Sequence, residues 1–422
     1  MIGAEPAAFR RVSLSRTAEM PRYDVAIVGG GIVGLSIGWA ITRRHPRAKI
    51  LVLEKEGRWG EHQTGNNSGE IHSGIYYQPG SLKAQYCRDG NHAMVAFCRE
   101  QGIPHLLCGK LIVATRQEEL PRLEAVYQRG AVNGVQAMKI CPEEIREIEP
   151  HCAGLAGLRV PSTAIVSYRQ VAETFAELIQ KGNGDLQLNT DVKRITVLPS
   201  CLEIESPVAS YQTRFLINCA GLHSDRIAEL MGLQTGMRII PIRGEYYRLR
   251  PEKQHLVKGV IYPVPNPRYP FLGVHFNRQM SGEVRVGPSA VVAFKREGYR
   301  KTEVDLHDAM ELLSSRGFWM FAARHWREGG KEVIRAMSKT LFLRRVHRLI
   351  PDIRAKDLVA APAGVRAQAL MNDGQLIDDF LVVQGPRSIH ICNAPSPAAT
   401  ASIPIGNAVV DLLARSCDLE SL

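Results

Sequence analysis

The chain is predicted to be an α/β protein in which one domain is discontinuous and a second, antiparallel-sheet domain is inserted into it. Three observations carry that prediction. Residues 21–60 read as strand, glycine turn, helix and second strand. Residues 238–292 change to short alternating strands broken by Pro263, Pro265, Pro267 and Pro270, the texture of antiparallel sheet. Residues beyond 350 return to strand, loop and helix. The resulting division is a 1–19 extension, first-domain segments at 20–100, 166–236 and 356–422, and second-domain segments at 101–165 and 237–355.

The opening unit is the most informative. Residues 24–28 (DVAIV) form an apolar strand, and Gly29, Gly31 and Gly34 follow as G-x-G-x-x-G. Gly29 permits the tight turn, Gly31 lets a pyrophosphate approach the backbone, and Gly34 lets the helix over 32–41 sit close to the strand. That helix presents free N–H groups and its positive dipole end to the phosphates. Glu54 closes the second strand, ILVL, where a carboxylate can accept hydrogen bonds from a ribose diol, and Lys55 follows it. A carboxylate there would repel a 2′-phosphate, which points to NAD or FAD rather than NADP. A plain turn is the competing reading, but all five parts stand in order. This is a Rossmann-like nucleotide-binding unit.

The rest is read in chain order. After the loop EHQTGNNSGEIHSGIYYQPGS, residues 81–101 form a helix with Ala84, Cys87, Met94 and Phe97 inward. Residues 111–114 are a strand, and 118–129 and 142–149 are helical. A helix over 170–181, a strand over 186–189 and a hairpin over 192–197 and 202–204 precede a buried strand at 215–219 and a helix at 224–231. Residues 304–350 are helical and rich in arginine and aromatics, and a helix from Ile403 follows NAPSPAAT.

Composition bounds the function. At 422 residues the chain exceeds one typical core, and 45% apolar with 23% charged residues fit a soluble globular protein. Nine scattered cysteines without a C-x-x-C pair indicate reduced surroundings, and no His/Cys spacing reads as a zinc site, so no metal is expected. The net charge of +11 comes without a nucleic-acid motif; it suits an anionic substrate or a basic face resting on anionic lipid. The apolar run 25–41 contains five glycines and is not a membrane span. The first 19 residues carry Arg10, Arg11 and Arg16 among hydroxyl residues. They read as a weak transit-peptide pattern or, preferred, as an upstream start with Met20 the true beginning. A cytoplasmic protein with peripheral inner-membrane contact is expected, with a mitochondrial one as the alternative.

From HQTGNNSGEIHSGIYYQPGSLKAQYC onward the chain closely resembles the L-2-hydroxyglutarate oxidases and dehydrogenases of the D-amino-acid-oxidase-like superfamily. GKLIVAT, AIVSYRQV, NCAGLHSDR, RGEYYRL, IYPVPNPRYPFLGVHF, VGPSAVVAFKREGYR, PAGVRAQAL and NAPSPAAT extend the match over residues 21–413. The family's TGHNSGVIH reads TGNNSGEIH here, so Asn66 replaces a histidine and Glu70 an apolar residue. The resemblance implies a D-amino-acid-oxidase-like fold and non-covalent FAD. It also implies oxidation of L-2-hydroxyglutarate to 2-oxoglutarate, with electrons passing to a membrane quinone, a similar acceptor or oxygen.

That reaction needs a base for the hydroxyl proton while the Cα hydrogen leaves as hydride to flavin N5. His72, in IHSG, and His275, in FLGVHF, are the candidates. His275 is favoured as base and His72 as a flavin or substrate contact; a structural histidine is the plain alternative for each. The substrate, a 2-hydroxy dicarboxylate, wants cations. Arg366 matches the position where related flavoenzymes hold the substrate carboxylate, Arg243 is the candidate for the distal carboxylate unless it merely pairs with Glu245, and Tyr76 is a further substrate contact. Thr64, Asn67 and Ser68 are expected to hydrogen-bond FAD. Ser396, Ala398, Ala399 and Thr400 resemble the segment that closes over its pyrimidine ring. Residues 318–326 (FWMFAARHW) read either as a core helix or as a membrane-interface segment beside Arg324 and Arg327. Two other readings compete: an FAD-dependent amine oxidase of the glycine or sarcosine oxidase type, and a non-catalytic FAD-binding protein.

Overall fold

The described residues form two large sheets and a small one. The structure, a computed structural model, describes residues 20–266 and 273–416, without the side chains of 327–337. The extension 1–19, Pro267, Pro270 and the side chain of Arg327 therefore lie outside the described residues.

The first strand, Arg22–Val28, lies parallel between Ile50–Leu53 and Ser210–Asn218. Asp185–Gln187 and Ser388–Asn393 extend this parallel core on either side. All four residues of Ile50–Leu53 are buried, as a parallel strand covered on both faces requires. Alternation sorts the first strand. Val25 and Ile27 face the helices Ile32–Arg44, Tyr168–Lys181 and Ser402–Ser416 through Leu35, Phe175, Ile179 and Val410. Ala26 and Val28 face Ile195, Leu202 and Ile204 of the antiparallel hairpin Arg194–Val197/Leu202–Glu205.

The second sheet is built on Met237–Leu249, which pairs antiparallel with Val284–Val292 and, on its other side, with Leu358–Ala360 and Gly364–Met371. Beyond Val284–Val292 come His275–Arg278, Val260–Pro263, Lys110–Ala114, Ala156–Val160 and Met138–Ile140. Among the described residues only Val260–Pro263 against Lys110–Ala114 is a parallel strand pairing here. A division at 355/356 would cut this sheet, because Arg366 opposes Ile242 inside it. The small sheet, Glu70–Ile71, Ala164–Val166 and His105–Leu106, carries the segment after the glycine-rich loop.

The segment 318–326 is divided between core and solvent. In the helical stretch Arg316–Met337, which kinks at His325, Phe318 and Phe321 pack against Ile240, Ile242, Leu312 and Leu370, whereas Trp319 and Trp326, on either side of the kink, are 56% and 67% exposed. Among the described residues no helix is long and apolar enough to cross a membrane.

Candidate active site

The glycine turn has two tight positions and one open one. A Cβ on Gly29, whose φ is +113°, would stand 2.4 Å from the Cys219 carbonyl oxygen, and one on Gly34 would stand 2.1 Å from that of Gly29. These two glycines pack strand against helix. Gly31 differs: the nearest atom to its Cβ would be Thr64 Oγ1 at 3.5 Å. The space beside it belongs to a cavity of about 1300 Å³. At the helix N-terminus the Ile32 N–H donates to Thr64 Oγ1 (3.0 Å). Glu54 accepts from the Gly30 and Glu56 N–H groups (2.7 and 2.9 Å) and keeps its place on the cavity wall. Asn67 accepts from the Gly69 N–H and donates to the Gln63 and Thr64 carbonyls, which shapes the loop that carries Ser68. Asn66 likewise donates to the Glu61 and His62 carbonyls. Thr400 Oγ1 pairs with the Tyr168 hydroxyl (2.8 Å) and accepts from the His72 N–H (3.0 Å).

This architecture fits a dinucleotide. Gly31 supplies a cradle that a Cβ would fill, the helix N-terminus supplies donors, and Glu54 sits at the strand end. Gly29, Gly31, Glu54, Lys55, Thr64, Asn67, Ser68, Ser396, Ala398, Ala399 and Thr400 all line the one cavity, and Gly34 supports it from behind. Lys55 also joins a network that sequence reasoning missed. Its ammonium pairs with Glu56 and with Glu297 (2.6 Å), and His62 and His223 lie 3.1 and 2.9 Å from Glu297. Burial raises the Glu297 carboxyl, but His223 and Lys55 overcome this and hold it well below the usual carboxylate range. Glu56, His62 and Glu297 offer ligand atoms within 4.8 Å of one another, but the Lys55 ammonium already pairs with both carboxylates.

The same cavity is lined by His72, His275, Tyr76 and Arg366. His275 is buried and stacks on Tyr262 with ring centres 3.9 Å apart. Its neighbours Val274 and Phe276 point the other way, into the core of the second sheet, as strand alternation requires. Nδ1 of His275 lies 2.8 Å from the Gly273 carbonyl oxygen, so Nδ1 carries the proton and Nε2 is left as acceptor. Burial lowers its pKa to about 3. His72 is different: its Nδ1 lies 3.1 Å from Glu70 Oε1. The Tyr76 hydroxyl is buried and has no hydrogen-bond partner among the described residues, a donor awaiting an acceptor.

Arg243 is the correction. It is buried, but its guanidinium bonds to Glu245 Oε1 (3.1 Å) and to the Arg300 carbonyl (3.0 Å), away from the cavity. Gly244 and Tyr246 are the residues of that strand on the cavity wall, so alternation turns Arg243 to the opposite face. The ion pair with Glu245 describes it, and the distal-carboxylate role does not fit. Lys110 and Tyr262 were missed. Lys110 is the one charged residue in KLIVA, a strand buried at all five positions, and a lysine in such a run must have a buried partner. That partner is Glu70.

Comparison with known proteins agrees with this geometry. The FAD dependent oxidoreductase family matches residues 24–412. A protein of Indibacter alkaliphilus named L-2-hydroxyglutarate dehydrogenase is 47% identical over 391 residues, which are 92% of this chain and 98% of that one. A Homo sapiens protein named L-2-hydroxyglutarate dehydrogenase, mitochondrial, is 44% identical over 423 residues, 96% of this chain and 91% of that one. Among solved structures, L-alpha-glycerophosphate oxidase from Mycoplasma pneumoniae with FAD bound superposes with a TM-score of 0.77 at 21% identity, covering 94% of this chain and 95% of that one. This last likeness concerns the fold alone.

Proposed function

The chain belongs to the FAD-dependent oxidoreductase family, and on that premise we propose that it oxidises L-2-hydroxyglutarate to 2-oxoglutarate. The observation that carries this reading is the convergence of His72, His275, Tyr76 and Arg366 on the cavity that also holds the glycine turn and Glu54. The relatives named L-2-hydroxyglutarate dehydrogenase support the choice of substrate.

When bound, FAD supplies the acceptor for the hydride that leaves Cα. Gly31, Glu54, Thr64 and the 396–400 segment would hold it. Arg366 presents a planar guanidinium to a substrate carboxylate, and Tyr76 offers a hydrogen bond from its unpartnered hydroxyl. We assign the hydroxyl proton to Nε2 of His72, reversing the preference drawn from sequence. A base works best with a pKa near the operating pH. Burial leaves His275 far below it, whereas Glu70 lies against Nδ1 of His72 and can balance the charge of an imidazolium. His275 then serves as a neutral acceptor in the wall.

The electron acceptor in this reading is a quinone-type molecule met at a membrane surface. Leu306, Met310 and Leu313 share one face of helix Leu306–Ser314 and are 77%, 64% and 45% exposed; the exposed Trp319 and Trp326 and the exposed Arg316 and Arg324 follow in the next helix. This basic, apolar surface suits a peripheral protein on the cytoplasmic side of an inner membrane, or its mitochondrial counterpart.

Anaerobic addition of L-2-hydroxyglutarate to the purified yellow protein tests the substrate. Bleaching of the visible flavin band by the L but not the D enantiomer, nor by sarcosine or glycine, is the expected result. Bleaching by the amines alone would replace this reading with an amine oxidase, and no bleaching by any of them would favour a non-catalytic FAD protein.

A further inference from the structure

The pocket wall behind His72 holds a buried charge pair, Glu70 and Lys110, of which the reaction as described uses only the contact of Glu70 with His72. Glu70 has no exposed side-chain surface and Lys110 only 1%. They form an ion pair, with the Lys110 ammonium also over the rings of Tyr76 (5.0 Å) and Tyr262 (4.3 Å). The second Glu70 oxygen accepts from the Tyr262 hydroxyl (2.9 Å) and the Asn277 amide (3.4 Å). Glu70 stands on the short strand after the glycine-rich loop, and Lys110, Tyr262 and Asn277 stand on three strands of the second sheet. The carboxylate thereby bridges the two parts of the fold, and its other oxygen, Oε1, lies 3.1 Å from Nδ1 of His72, with no aligned hydrogen bond to it among the described residues.

We propose that Glu70 is a positioning residue for the oxidation: it holds the His72 imidazole with its Nδ1–H turned inward and Nε2 turned to the cavity, and it carries the countercharge when Nε2 takes the hydroxyl proton, while Lys110 keeps Glu70 ionised. The inference rests on the reading of His72 as base. Burying a charge away from water is expensive, so a carboxylate kept here without solvent must be matched by cations. Burial raises its carboxyl, and His72 and Lys110 together reverse this and hold it well below the usual range. The other titratable groups around the pair are constant near neutral pH. Burial pushes up the phenols of Tyr76, Tyr77, Tyr168 and Tyr262 and the thiols of Cys87 and Cys108, so all stay protonated. His275 stays neutral because burial lowers it to about 3. Lys110 is paired with Glu70, and His72 is the imidazole in contact with the same carboxylate. Because TGHNSGVIH carries an apolar residue where Glu70 stands, the carboxylate is a feature of this chain rather than of that pattern.

The test is nitrogen NMR of the holoprotein labelled at histidine, with the His72 signals identified by their loss in His72→Gln. The parent is expected to show the Nδ1–H tautomer at His72; the Nε2–H tautomer would overturn the proposal without any variant. Glu70→Gln is expected to lower the His72 titration midpoint by about one pH unit or more. The acid limb of kcat/KM should move down with it, and kcat should fall about tenfold while KM changes less than about threefold. Glu70→Asp is expected to restore part of the shift. Since Glu70→Gln strands a buried ammonium, the double variant Glu70→Gln/Lys110→Met is measured beside it and should show the same downward shift. An unmoved midpoint in the folded variants would overturn the proposal. Failure of L-2-hydroxyglutarate to bleach the parent flavin would instead overturn the substrate reading, with the tautomer measurement unaffected.

Discussion

Replacing Gly31 by Ala should separate the cofactor from the fold. Gly31 precedes the first helix with φ −78° and ψ 172°, which alanine adopts without strain. Its added methyl would meet Thr64 Oγ1 at 3.5 Å, an ordinary contact. As the helix N-cap, alanine costs about 1 kcal/mol or less relative to glycine. The apoprotein should therefore unfold in urea within about 1 kcal/mol of the parent. The methyl does, however, occupy the place where a diphosphate would approach the helix N-terminus. Losing one charge-assisted hydrogen bond there costs about 1.5–3 kcal/mol, or about a tenfold to hundredfold rise in the Kd for FAD. Quenching of flavin fluorescence on titration of apoprotein measures that Kd. Gly34→Ala is the contrast: its methyl would lie 2.1 Å from the Gly29 oxygen, so this variant should lose stability even without FAD. Parent-like FAD affinity in Gly31→Ala, or its unfolding by more than about 2 kcal/mol, would refute the assignment of that space to the diphosphate.

Four further outcomes are expected. Arg366→Ala should weaken 2-oxoglutarate binding by about tenfold or more, read from the flavin difference spectrum, because a carboxylate contact of about 1.5–3 kcal/mol is lost; unchanged binding would remove Arg366 from the site. Arg243→Ala should cost about 1–3 kcal/mol of stability by deleting a buried guanidinium bonded to Glu245 and the Arg300 carbonyl, with Lys301 still paired to Glu245, yet leave KM within about twofold; a large KM change would restore the discarded substrate role. His390 is fully buried, and burial lowers it to about 4. The unfolded chain takes up that proton below about pH 6.5 and the native one does not. The contribution is thus complete above about 6.5 and is lost toward pH 4 at up to about 1.4 kcal/mol per unit. His390→Gln should flatten that slope in urea titrations between pH 7 and 5, and an identical slope would count against the linkage. Finally, Trp319→Ser/Trp326→Ser should reduce sedimentation with phosphatidylserine vesicles at low salt while leaving flavin reduction by substrate unchanged; equal sedimentation would exclude this face.

What could be read from the chain follows the range of the physics. Gly29, Gly31, Gly34 and Glu54 act through backbone geometry within one β-α-β unit, and such local requirements leave a spacing in the sequence. The inward residues Ala84, Cys87, Met94 and Phe97 likewise follow from helical period and are all buried. Arg366 was identified as a residue through the resemblance, but its strand was not, because Gly364–Met371 is defined by a partner, Met237–Leu249, more than a hundred residues earlier. Nothing in PAGVRAQAL announces that pairing.

Arg243 and Lys110 show the limit from opposite sides. Both are cations on strands of the second sheet, and charge alone recommended the wrong one. Strand Met237–Leu249 is buried at nearly every position up to Gly244, so polarity does not alternate along it and does not reveal which face meets the cavity. Its neighbours Gly244 and Tyr246 settle that only once the sheet is built. Lys110 looks like the polar start of an apolar strand, and Glu70 looks like an unfavourable departure from a family pattern. Each alone is an expensive burial; together they cancel, and they do so against the imidazole that faces the substrate cavity. A charge that seems misplaced in one segment therefore has to be read with the charge that seems misplaced in another. Here that pairing reverses the order in which the sequence ranked two histidines: His275 is buried and kept neutral, and His72 is backed by a carboxylate.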